Sequence, residues 1–348
     1  MQSLFGSLSI WMNLALFGAF ASGVWYCGSR LTYLMDTLAD RLKFAKSLMG
    51  LLVLSLATSL PEVATTLSAA VQQSRDLVLN NLFGGVALQT AILATADFWA
   101  RGAITNYPRK ANHALEATLL VVLLTLALIF LILQEPLSFG FIGAGSVLIG
   151  IAYAGIIWLL RRYDGESDWV PIDLPDDQEA GAPALMRISL ELSTNAIFWQ
   201  AGAACFGILA FGVALVGVSE TLAVQTGLGA SFIGVTLLAG ATSLPELTTS
   251  ITAVRMGAYT MAISNIFGSN LIMLVLVLPA DLLYVGGPIL RGAGATVVLA
   301  ISFGILVTAI YLVGLIVRRK PRLGVLGADS VFVLLAFVAS LVAYYLVR

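Results

Sequence analysis

Two glutamates, Glu62 and Glu246, each follow a proline inside a stretch apolar enough to cross a bilayer. The residues before them repeat as well: Ala57-Thr58-Ser59-Leu60-Pro61-Glu62 and, 184 positions later, Ala241-Thr242-Ser243-Leu244-Pro245-Glu246. Ionisable side chains at membrane depth face a cavity or a pathway. Pro61 has no amide hydrogen and crowds the carbonyl four residues back, so Ala57 C=O loses its helical partner, and Pro245 does the same to Ala241. Such carbonyls are tolerated in hydrocarbon where they line a cavity. Thr58, Ser59 and Glu62 are spaced i, i+1, i+4, which puts the carboxylate on a helix face with both hydroxyls; Thr242, Ser243 and Glu246 repeat the arrangement. Brought together, the two blocks offer two carboxylates, up to four hydroxyls and several carbonyls. That all-oxygen set suits a hard cation such as Ca²⁺ or Na⁺ rather than a soft metal. Two glutamates balance one divalent ion. Left empty in a low-dielectric site they repel and draw in protons or monovalent cations, which favours exchange over leak.

The elements that must position these groups are membrane helices. The chain is 59% hydrophobic and 11% charged, far from the balance of a soluble domain. Runs 117–134, 136–160 and 292–317 carry no Asp, Glu, Lys or Arg, and each exceeds or approaches the roughly 20 residues a membrane helix needs. Ten spans are expected, at about 8–28, 47–73, 77–96, 114–133, 138–160, 195–219, 230–254, 258–280, 293–317 and 327–347. The first lacks the basic n-region of a cleavable signal peptide, since no Lys or Arg precedes Arg30. With the first span starting outside, 15 of the 18 basic side chains fall on the inner loops and only Arg75, Arg291 and Arg348 lie outside, which predicts both termini outside.

Five spans per half make the halves antiparallel, an inverted repeat. Segments 50–91 and 234–275 align without gaps at 13 of 42 positions, including Asn81, Phe83 and Gly84 against Asn265, Phe267 and Gly268. The expected organisation is an all-α polytopic protein: a first five-helix half, 1–161, an acidic cytoplasmic loop, 162–194, and a second, inverted half, 195–348, with Pro-broken helices at the centre. Gly84-Gly85 and Gly268-Ser269 permit close backbone approach. Asn81 and Asn265 are expected to bond the freed carbonyls of the broken helices. The loop holds several acidic residues but lacks the ordered spacing of an EF-hand and reads as a solvated tether. Cys27 and Cys205 read as packing residues. His113, the only histidine, sits beside a span end in a basic loop. No phosphate loop, nucleophile elbow or Cys/His cluster is present, so an enzyme and a bound cofactor are not expected.

At these residues the chain resembles the calcium/cation antiporter superfamily, in particular the Na⁺/Ca²⁺ exchangers. That family carries two inverted repeats with Gly-(Ser/Thr)-Ser-(Leu/Met)-Pro-Glu followed by Gly-Asn-x-x-Gly-Ser-Asn-x-x-(Asn/Asp). The resemblance implies ten spans, a mid-membrane site, transported Ca²⁺ and Na⁺ (or H⁺) as partners along with membrane lipid, and a place in the cell membrane. It also implies a ligand set of Thr58, Ser59 and Glu62, with Thr242, Ser243, Glu246 and Ser269, to which Gln89 is added as a candidate. The first repeat departs from the pattern at Gly85, where a serine is expected. Gln89 and Met273 stand where the family has Asn or Asp; Gln89 keeps an amide on a longer arm and Met273 removes an oxygen. The divalent site is therefore expected intact. Binding of three Na⁺ loses oxygens, which leaves proton coupling, or exchange of one divalent for two monovalent ions, as the alternative.

Overall fold

A computed structural model describes residues 5–108, 110–165, 191–226, 239–318 and 322–347, without the side chains of 164 and 165. In hydrocarbon a segment must satisfy its own backbone hydrogen bonds, and among these residues most of each apolar run is helical. Helix α1 is Ile10–Leu42, and α2, Lys46–Thr58, contains a π-helical stretch over Met49–Leu54. The next four are α3 Leu60–Val71, α4 Arg75–Ala96, α5 Asn112–Ile132 and α6 Ala144–Gly165. Then come α7 Thr194–Gln225, α8 Leu244–Arg255, α9 Tyr259–Val275, α10 Val277–Leu283, α11 Ala295–Ile316 and α12 Ala328–Val347. Eight helices or helix runs are long and apolar enough to cross a membrane, and α2 with α3 makes a ninth span bent by 51°. The start of the expected span 230–254, Gly234 included, and most of the expected loop 162–194 lie outside the described residues.

Three expected spans change shape. The first, expected at 8–28, continues to Leu42 because Thr32, Asp36 and Thr37 are buried against neighbouring helices rather than released to solvent. The sixth, expected at 195–219, likewise continues to Gln225. The fifth, expected from 138, begins only at Ala144, because 138–143 form a two-stranded hairpin, β1 (Ser138–Phe139) with β2 (Ile142–Gly143), turning at Gly140 with φ 68°. A second hairpin, β3 (Arg322–Leu323) with β4 (Leu326–Gly327), turns at Gly324 with φ 70°.

The 184-residue interval that separates the Pro-Glu blocks also relates these hairpins, strand for strand. It relates the caps of the two longest helices too: Ser9 Oγ accepts from Met12 N and Ser193 Oγ from Ala196 N, both caps at φ −67°, ψ 155°. Each cap satisfies an otherwise unpaired first-turn amide. The two helices they open, α1 and α7, pack along one another. Their glycines admit the broken helices: a Cβ at Gly28 would lie 3.1 Å from Thr248 Cγ2 of α8, and one at Gly212 only 2.5 Å from Pro61 Cγ of α3. The main core joins α4, α5, α6, α9 and α11, while α1, α2 and α7 share a separate one.

Two buried aspartates tie the ends of this scaffold across the halves. Asp97, just beyond α4, accepts from Ile104 N (2.8 Å) and from Gly327 N of the far hairpin (2.6 Å). Asp281 on α10 accepts from Ile289 N (2.7 Å), from Gly143 N of the first hairpin (2.7 Å) and from Ser146 Oγ. Basic side chains gather at two ends. Arg75 Nη1 donates to Arg291 O (2.6 Å) at one. At the other, Arg322 Nη1 donates to Arg101 O (3.0 Å) and Arg318 Nη2 to Asn106 O (3.2 Å).

Candidate cation site

The site is built at the two breaks. Ser59 separates α2 from α3 at φ −80°, ψ 3°, and Ser243 precedes α8 at φ −88°, ψ 9°. The backbone ladder resumes with Val63 N donating to Ser59 O (2.9 Å) and Leu247 N to Ser243 O (3.1 Å), while Pro61 and Pro245 offer no amide to Ala57 and Ala241. Each break carries its glutamate on the first turn of the following helix, the end at which negative charge is stabilised.

The breaks face each other and exchange partners. Ser59 Oγ donates to Glu246 Oε1 (3.3 Å), and Ser243 Oγ donates to Glu62 Oε1 (3.5 Å). Ser269 Oγ on α9 donates to Glu246 Oε1 (3.5 Å) and lies 3.4 Å from Thr58 Oγ1. Thr242 Oγ1 is turned to Ala239 O (3.0 Å) and borders the same cavity as Glu62. All these side chains are buried, yet Glu62 Oε2 and Glu246 Oε2 have no hydrogen-bond partner, and among the described residues no Lys, Arg or His pairs with either glutamate. Burying a carboxylate without a counter-charge is costly. A cation entering between the two glutamates would offset that cost.

The separations are compatible with oxygens that share a cation. Hydroxyl–oxygen bonds cluster near about 2.7–2.8 Å, whereas these cross-break separations are 3.3–3.5 Å. Oxygens adjacent around a cation at about 2.4 Å sit about 3.4 Å apart when their bonds are perpendicular. Among the described residues no group of three His, Cys, Asp or Glu converges, so the donors beyond the two carboxylates are hydroxyls and carbonyls.

Of the expected ligands, Thr58, Ser59, Glu62, Ser243, Glu246 and Ser269 are joined by these contacts. Gln89 on α4 is fully buried with neither amide atom partnered. The carbonyl role expected of Asn81 and Asn265 is corrected. Among the described residues Asn81 Nδ2 instead donates to Thr66 Oγ1 (2.9 Å) and Asn265 Nδ2 to Thr249 Oγ1 (3.0 Å), each on the neighbouring helix, while Asn81 also borders the cavity that reaches Glu62. They hold α4 to α3 and α9 to α8.

A cavity of ≈ 320 Å³ reaches Glu62, Thr242 and Ser243 past Gly84, Gly85 and Met273, walled by Ala300, Phe303 and Phe337. A Cβ at Gly268, the repeat mate of Gly84, would lie 2.3 Å from Leu51 O and 2.7 Å from Ser55 Oγ, so α9 rests backbone-to-backbone on α2. Position 235, the repeat mate of Leu51, lies outside the described residues.

Sequence reasoning missed several buried acidic groups, Asp97, Glu116 and Asp281 among them. Asp97 and Asp281 stand at the same 184-residue interval as the glutamates, a signal that was available. Glu116 was not marked by any repeat. It accepts from Ser264 Oγ (2.8 Å) and meets His113 Nδ1 (3.0 Å), which places His113 inside the helix packing at the start of α5 rather than in a basic loop. Cys27 and Cys205 are free thiols.

Known proteins carry the same plan. The proposed antiporter CaxA of Alkalimonas amylolytica is 25% identical over 323 residues, 90% of this chain and 92% of that protein. The inner membrane protein YrbG of Escherichia coli (strain K12) is 27% identical over 273 residues, 72% of this chain and 77% of that one. The sodium-calcium exchanger NCX_Mj soaked with 10 mM Na⁺ and 10 mM Sr²⁺ superimposes with a TM-score of 0.72 at 16% identity, covering 96% of this chain and 99% of the other. The same exchanger soaked with zero Na⁺ and Ca²⁺ gives 0.66, and these likenesses establish a shared fold. The description "sodium/calcium exchanger protein" fits residues 12–161 and again 196–346, so the chain belongs to the sodium/calcium exchanger family of membrane antiporters.

Proposed function

We propose that the protein is a secondary active antiporter that exchanges Ca²⁺ for Na⁺ by alternating access, at a site between two inverted repeats. The observation that carries this reading is the reciprocal pairing of Ser59 with Glu246 and of Ser243 with Glu62, at separations suited to cation ligands. Two carboxylates balance one Ca²⁺; hydroxyls and freed carbonyls serve Ca²⁺ and Na⁺ alike. A cavity reaching Glu62, Thr242 and Ser243 supplies a route to the site.

The twofold plan is supported by everything that recurs at 184 residues: caps, breaks, hairpins and aspartates. On this plan the halves are 1–161 and 195–348, joined by the acidic cytoplasmic tether 162–194, with ten spans, both termini outside and the cell membrane as the location. The separate grouping of Arg75 with Arg291 and of Arg101 with Arg322 favours this orientation, because it reproduces the inside–outside sorting of basic residues. A second reading, a proton-coupled or other divalent-for-monovalent exchanger, draws its support from Gly85 and Met273, which supply no oxygen.

The test is ⁴⁵Ca²⁺ uptake into proteoliposomes loaded with Na⁺, with acid, or with neither, for wild type, Glu62→Gln and Glu246→Gln. Uptake requires an outward monovalent gradient and falls at least 100-fold in each variant, since removing one member of a buried charge set costs about 3–5 kcal/mol. Uptake that needs no gradient and survives both substitutions refutes exchange at this site.

A further inference from the structure

We propose that a cavity at the end of the bundle where α2, α5 and α9 begin binds a phosphoryl group, carried by inorganic phosphate or by the headgroup of an anionic lipid. None of its lining residues belongs to the two breaks, so it stands apart from the exchange site and does not rest on the exchanger reading. The cavity holds ≈ 480 Å³, and Lys46, Tyr107, Lys110, His113, Tyr259 and Thr260 are among its walls.

Three helices point their amino ends at it. Each opens on an alanine, Ala45, Ala111 and Ala258, so no N-cap side chain covers the first amides, and none has an acidic residue in its first turn. Helices α1 and α7, by contrast, are capped by Ser9 and Ser193. Helix α9 packs against both α2 and α5, which gathers the three ends. A helix amino end combines partial positive charge with outward amides, and that combination binds phosphate. The charged lining has the matching sign. Lys46 and Lys110 are cationic, and among the described residues no Asp or Glu lines the cavity. Asp36 and Asp40 pair with Lys46 (2.7 and 3.3 Å) from beyond the lining.

His113 points to a ligand independently of the helix ends. Its side chain is 3% exposed. Nδ1 is turned inward, 3.0 Å from Glu116 Oε2 and 3.0 Å from Ser264 Oγ. Nε2, across the ring, has no hydrogen-bond partner among the described residues and faces the cavity that the ring lines. With the Nδ1 proton held by Glu116, Nε2 accepts from a phosphoryl hydroxyl, or donates to a phosphoryl oxygen when the ring is protonated.

Thermal unfolding of the purified full chain in Ca²⁺-free detergent, with inorganic phosphate exchanged for chloride at constant ionic strength, tests the site. The same scan in phosphatidylcholine nanodiscs with and without phosphatidic acid separates the two sources. In wild type one of these additions raises the unfolding midpoint saturably. His113→Asn keeps a donor for Glu116 and removes Nε2, and it raises the half-saturating concentration at least about tenfold, the worth of one hydrogen bond to a charged group. Thr260→Glu sets a carboxylate in the first turn of α9, where it stabilises the helix. Its midpoint matches or exceeds that of wild type and no longer responds to either addition. A response to phosphate alone assigns a free anion, and a response to phosphatidic acid alone assigns a lipid headgroup. No response to either in wild type, or an equal response in Thr260→Glu, overturns the site. Should His113→Asn not fold, Thr260→Glu decides alone.

Discussion

Removing the Asp281 carboxylate tests the scaffold that holds the breaks in register. In Asp281→Ala three buried donors lose their acceptor: Gly143 N, Ile289 N and Ser146 Oγ. Ser146 has a second acceptor in Gly143 O at 2.8 Å, so two amides are left unsatisfied. At about 1–3 kcal/mol for each buried orphan donor, the cost is about 2–6 kcal/mol. Asp281→Asn keeps one acceptor oxygen and strands one amide, about 1–3 kcal/mol. Purified protein heated in detergent, followed by tryptophan fluorescence, should therefore lose unfolding temperature in the order wild type, Asn, Ala. The alanine variant should fall by about 4–12 °C, taking about 2 °C per kcal/mol for a chain of this size. Asp97→Ala should behave alike, because it strands Ile104 N and Gly327 N in the same geometry. An alanine variant within 1 °C of wild type, or one no worse than asparagine, refutes the assignment of these carboxylates as acceptors that join the halves.

Other outcomes follow from the same geometry. Ser59→Ala and Ser243→Ala each delete one hydroxyl from the opposite glutamate, so each should weaken ⁴⁵Ca²⁺ binding by about fivefold, the worth of about 1 kcal/mol, and to a similar degree. Gly268→Ala drives a methyl into Leu51 O and Ser55, costing about 1–3 kcal/mol and slowing exchange. Burial pushes the Glu135 carboxyl in the α5–α6 connection upward, against the amide of Gly145. Its folded form favours the proton, so its stabilising contribution is complete below the unfolded carboxyl range and is lost as pH rises through the folded value. Thermal scans from pH 7 down to pH 5 should show wild type gaining stability relative to Glu135→Gln; a constant difference between them contradicts this.

How far the fold was legible depended on how unusual each signal is. Proline beside glutamate in hydrocarbon is costly, so a second copy in step with Asn-x-Phe-Gly could be read without coordinates, and the breaks stand at Ser59 and Ser243 as that pattern implies. Helix ends were less legible. Polarity after residue 28 read as an exit from the membrane, yet Thr32, Asp36 and Thr37 are buried as α1 packs on α7 and α8, and tertiary packing overrides hydropathy there. The hairpins escaped notice because two-residue strands carry almost no periodic signal. Within the site, residue types identified the glutamates and hydroxyls, but nothing in the sequence placed the serine of one block on the glutamate of the other. That Gly85 and Met273 line one cavity was equally hidden, since each departure looked like an independent loss.

The aspartate ties have a consequence for how the molecule is made. Gly143 N finds its acceptor on Asp281, and Asp97 finds Gly327. A chain emerging from its amino end presents Gly143 N and the Asp97 carboxylate well before Asp281 and Gly327 exist. Until then one amide and one carboxylate lack these partners, so the contacts that join distant parts of the chain form late.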